Sequence, residues 1–68
     1  MAKISVVIPD HGTYECSDVA LDLAIERFLP ASQIGLSTLV NELTGIDYRQ
    51  ESISTLLVML ASFYYSEV

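Results

Sequence analysis

The chain has 68 residues, 51% hydrophobic and 18% charged, with nine acidic side chains against three basic ones and a formal charge of −6. It is too apolar for a disordered chain and too poor in Lys and Arg to grip phosphates, and an anionic membrane surface is disfavoured by the same sign. One domain is expected over residues 1–68, and a domain this small buries only about 60% of its unfolded surface, so it needs extra support.

The lone Cys16 cannot form an internal disulfide. Oligomerisation is therefore the expected support, as a homodimer. A single thiol, with no charged-then-apolar leader, fits a reducing cytoplasm.

In chain order, KISVVI (residues 3–8) is short and rich in β-branched residues, which predicts a strand closed by Pro9. Val6, Val7 and Ile8 run without alternation, so cover on both faces is expected. Residues 9–16 carry turn formers and are expected as a loop. No later segment offers a second strand, so the first is expected to pair with a second copy or with another protein's sheet edge.

A first helix is predicted over 17–29, with Ser17 as cap, Asp18 at the positive end of the dipole and Pro30 as stop. Leu21, Ala24, Ile25 and Phe28 recur at helical spacing and mark its inner face. Asp18, Asp22 and Glu26 recur every four residues, with Glu15 just ahead. Like charges about 6 Å apart along the axis repel one another, so the row does not stabilise its own helix. It is either a solvated face or a docking strip for a basic protein surface, with Val19, Leu23 or Met59 adding apolar contact.

A second helix is predicted over 37–44, capped by Ser37 and stopped by Gly45. Asp47 and Gln50 have the spacing of a capping box, which starts a third helix over 48–65. Its apolar sector (Ile53, Leu56, Leu57, Leu60, Ala61 and Tyr64) is wider than a surface helix shows, with Phe63 at its boundary. Ile53, Leu56, Leu57, Leu60, Phe63 and Tyr64 are thus expected to be shared between core and dimer interface. Ile53 to Tyr65 is too short to span a membrane, which takes about 20 apolar residues.

The segment LSTLVNELTGIDYRQESISTLLVML resembles the core of helix–turn–helix domains: a short helix, a Gly-containing turn and a longer helix. That resemblance implies a DNA-binding regulator in which Arg49, Gln50 and Ser52 reach the groove. The surrounding Lys and Arg that such readers use on phosphates are missing.

Asp10, His11, Glu15 and Cys16 lie close in sequence but lack metal-ligand spacing, and so short a chain has little room for a substrate cleft. No enzyme activity, metal or cofactor is expected. The fold class is mainly α: a small three-helix, helix–turn–helix-like domain behind a short N-terminal strand, dimeric. Its expected function is non-enzymatic regulation of another protein, as an adaptor, antirepressor or inhibitor of a nucleic-acid-binding protein. DNA binding is the alternative, and a structural subunit of a larger assembly the third reading.

Overall fold

The computed structural model describes residues 3–66, in the order β1 (Lys3–Ile8), β2 (Gly12–Ser17), α1 (Asp18–Phe28), α2 (Gln33–Thr44) and α3 (Ile53–Tyr64). β1 lies where the sequence puts it. A second strand is present in the chain after all: β2, inside the segment expected as a loop, pairs with one edge of β1 antiparallel, Lys3 opposite Ser17 and Ile8 opposite Gly12. The His11 N–H donates to the Ile8 carbonyl at 3.0 Å and closes the turn. Asp10 takes φ 70 and Gly12 φ 101, the left-handed geometry that glycine adopts at no steric cost.

Strand alternation sets the two faces of this hairpin. Ile4, Val6 and Ile8 of β1 point inward with Tyr14 and Cys16 of β2, while Lys3, Ser5, Val7, Thr13 and Glu15 are exposed. Val7 is 73% exposed, so the outer face is not covered within the chain as the apolar run Val6–Ile8 had led us to expect.

α1 is capped by Ser17, whose hydroxyl accepts from the Ala20 N–H at 3.0 Å. α2 begins four residues before the predicted 37–44 start. Ser32, not Ser37, is its cap. Ser37 is buried inside the helix and donates its hydroxyl to the Ile34 carbonyl. Gly45 ends α2 in the left-handed conformation, φ 76, with its N–H on the Asn41 carbonyl at 2.7 Å.

α3 starts five residues after the predicted 48–65 helix. Ser52 caps it through the Thr55 N–H, whereas Asp47 accepts the Arg49 N–H at 3.0 Å within the connection. From Leu56 to Ala61 six consecutive residues are buried. Val58 and Met59 belong to this run: Met59 is 0% exposed, although the docking reading gives it a place at the surface. A helix that is apolar all round must be enclosed. Here α1, α2, β2 and β1 enclose it.

Two side-chain clusters hold the layers together. Ala20 and Ala24 of α1 join Cys16, Val58 and Ala61, and residues this small let the helices approach closely. Ile8, Leu36, Val40, Tyr48, Leu56, Leu57, Met59 and Leu60 form the larger cluster. Tyr48, expected on a helix, instead plugs the α2–α3 connection into this core. Its ring packs edge-on to His11, with centroids 5.7 Å apart, and its hydroxyl lies 3.3 Å from that of Tyr14. The Gln33 amide donates to the carbonyls of Arg49 and Glu51, tying the same connection to the start of α2.

Leu60→Ala removes a fully buried side chain and is expected to cost about 2–5 kcal/mol, read as a lowered urea midpoint. Burial, with help from Tyr14, pushes the Tyr48 hydroxyl from 10.0 up to about 12. Folding thus holds Tyr48 neutral after the unfolded side chain has begun to ionise. Its contribution is intact below pH 10.0 and is lost as pH rises through about 12. Tyr48→Phe should lower stability by about 0.5–1.5 kcal/mol at neutral pH and flatten the alkaline fall in the urea midpoint. Cys16, its thiol also pushed up by burial, titrates in both proteins and cancels in the comparison.

Candidate protein-binding surface

α1 presents two sides of opposite character. Ala20 and Ala24 are fully buried, and Leu21, Ile25 and Phe28 pack inward beside them. Asp18, Asp22 and Glu26 are exposed along one line of the outer side. Rows four residues apart run nearly parallel to a helix axis, so the half-exposed Val19 and the partly buried Leu23 form an apolar row next to the acids. The helix–strand geometry therefore gives α1 an acidic edge with an apolar margin, as its spacing predicts. Met59 cannot contribute to that margin, because it lies in the core.

The cation nearest in sequence to this row is already engaged. Arg27 sits in the last turn of α1, its guanidinium carbon 5.1 Å from the ring centres of both Phe28 and Tyr64. It also donates to the Tyr65 hydroxyl at 3.4 Å. The two ion pairs among the described residues are Lys3–Glu15 at 3.5 Å and Arg49–Asp47 at 2.9 Å. Glu15 is thus the one member of the expected acidic set with a basic partner among the described residues. Asp18 accepts only its neighbour's N–H, from Val19 at 2.8 Å. Three carboxylates remain with no ion pair among the described residues.

The residues expected to divide between core and dimer interface separate cleanly. Leu56, Leu57 and Leu60 are buried within the single chain. Ile53, Phe63 and Tyr64, at the two ends of α3, are 39%, 39% and 42% exposed. Phe63 leans edge-on against Tyr14 and Tyr64 tilts against Phe28, so both rings are partly occupied by their own chain.

The residues of the DNA-binding alternative do not lie along a helix. Arg49 and Gln50 are exposed on the α2–α3 connection, and Ser52 is the cap of α3. Arg49 and Gln50, with Asp47, border an open polar cleft of about 600 Å³, which adjoins a smaller one of about 180 Å³ lined by Ser37, Thr38, Asn41, Asp47 and Arg49. Arg49 grips Asp47 through Nε, at 3.1 and 2.9 Å to its two oxygens. The Arg49 N–H and guanidinium hold the Asp47 carboxyl below its ordinary value.

Asp10, His11, Glu15 and Cys16 are spread along the hairpin. Glu15 points outward and Cys16 inward, as alternation requires. Among the described residues no three His, Cys, Asp or Glu side chains come close enough to hold a metal ion, and no helix is long and apolar enough to cross a membrane. The Tyr14–Tyr48 contact, the Gln33 clip and the Arg27–aromatic cluster have no signal in local spacing, since their partners come from remote segments.

Comparison with known proteins finds no matching family model, no matching curated protein and no matching solved structure.

Three cations can release few counterions. Any association with duplex DNA is therefore expected to show a slope of log K against log salt no steeper than about −3 for one chain, or about −5 for a homodimer bound through both copies. Electrophoretic mobility across a salt series checks this, and a steeper slope would favour the DNA-binding alternative.

Proposed function

We propose that the chain is a small non-enzymatic regulatory protein that binds a protein with a basic surface and modulates it. The carrying observation is the exposed row Asp18–Asp22–Glu26, three carboxylates without an ion pair among the described residues, beside a partly exposed apolar margin. A row of this kind raises the encounter rate with a positive surface, and the apolar margin slows dissociation. Surfaces that grip nucleic acid are the commonest extended positive ones, so a nucleic-acid-binding protein is the target class. The chain then acts as an antirepressor, inhibitor or adaptor by covering that surface, in the cytoplasm and as a homodimer. The α2–α3 pair, two helices of twelve residues each rather than a short and a longer one, serves this reading as scaffold, since α3 is spent on the core.

The test compares the wild-type chain with the triple variant D18N/D22N/E26Q and with a charge-matched control, D10N/E42Q/E51Q. Proteins retained at low salt by the wild type and the control, lost from the triple variant and eluted as salt rises, support the acidic edge. Equal retention by the triple variant, with its fold intact by circular dichroism, overturns it.

A further inference from the structure

β1 has two edges, and β2 takes one. Among the described residues the sheet has the order β1–β2, and the helices pack mainly on β2 and on one another. Long exposed edges are normally blunted by proline, a bulge or charge. β1 has none of these in its interior: its register with β2 is unbroken, Pro9 lies beyond it, and Lys3 is its one charged residue. It is also the element of positive charge in a chain of −6. β2 and α2 carry an acid each and α1 three acids against one Arg, while α3 is neutral. Val7, on the outer face beside this edge, is the most exposed of the large apolar side chains, at 73%.

We infer that the free edge of β1 pairs antiparallel with β1 of a second copy, about a two-fold axis through Ser5, to give a four-stranded sheet. This rests on the homodimer proposed above and moves its contact from α3 to β1. With Ser5 opposite Ser5 of the second copy, Ile4 meets Val6 and Lys3 meets Val7, so inner residues face inner residues throughout. The Lys3 stem covers Val7 while its ammonium stays in water. No like charges stand opposite one another, since the one charged residue of the strand meets an apolar one. In the order β2–β1–β1–β2 each α1 stays with an outer strand. The two acidic rows are thus kept apart and remain open to a partner. A contact this narrow belongs with transient interfaces, so the dimer depends on concentration.

Sedimentation over a concentration series up to about 1 mM tests this. The wild type should pass from monomer to dimer. Ser5→Glu and Ser5→Lys place like charges on the axis and should each stay monomeric, whereas their equimolar mixture should dimerise. Ser5→Cys gives a second measure that does not depend on charge. Cα atoms about 5 Å apart across an antiparallel pair suit a disulfide, so mild oxidation should cross-link this variant and not Thr13→Cys on the far strand. Dimers that persist in both charged variants, or equal cross-linking at position 13, overturn the β1 contact and leave the homodimer standing. A wild type that is monomeric throughout overturns the homodimer and the β1 contact with it. Neither result bears on the acidic edge, which is read by retention of a partner.

Discussion

The six-residue buried run of α3, Leu56 to Ala61, dictates the rest of the fold. A helix with no polar side has no stable place at a surface, and each buried side chain contributes about 1.5–3 kcal/mol only if something covers it. Two helices cannot surround a third. The hairpin closes the remaining side, with Ile4, Val6, Ile8, Tyr14 and Cys16 turned inward. This explains why so short a chain spends twelve residues on a two-stranded sheet that would not be stable alone.

Enclosure also decides where chemistry is left over. With the middle of α3 consumed by the core, what faces outward includes the acidic side of α1, the outer side of α2 with Ile34 and Leu43, the polar connection between α2 and α3, and the outer face of the hairpin. Arg27 is on the same helix as the acids, yet it is held at the far end by Phe28, Tyr64 and Tyr65. The carboxylate row thus has no ion pair among the described residues partly because the chain's own packing claims the cation nearest to it in sequence, and not merely because cations are few.

Much of this was legible in the sequence. β1, the Ser17 cap, the inner face of α1, its acidic row and the Gly45 stop all follow from local spacing. β2 was missed although Thr13 to Cys16 alternates polar and apolar after a turn signal; the stretch is short, and glycine and turn formers weigh against a strand. The early start of α2 was hidden by Gly35 in its first turns, which costs about 1 kcal/mol relative to alanine. That cost is offset by the Ser32 cap and by Gln33, which grips a segment far along the chain. The third helix was begun too soon because Asp47 and Gln50 have capping-box spacing. The core instead claims Tyr48, and a residue buried by remote contacts need not follow the local period. Tertiary packing overrode propensity at each of these places.

The larger cluster draws Ile8 from one end of the described chain and Leu56, Leu57, Met59 and Leu60 from the other. No segment before Ile53 has a complete core of its own, so the hairpin, α1 and α2 can form only transiently until α3 is present. Folding must close nearly the whole chain before its main reward arrives, a topology that slows folding in spite of the helical content. During synthesis on a ribosome the apolar faces of the hairpin and α1 thus stay uncovered until α3 has left the exit tunnel.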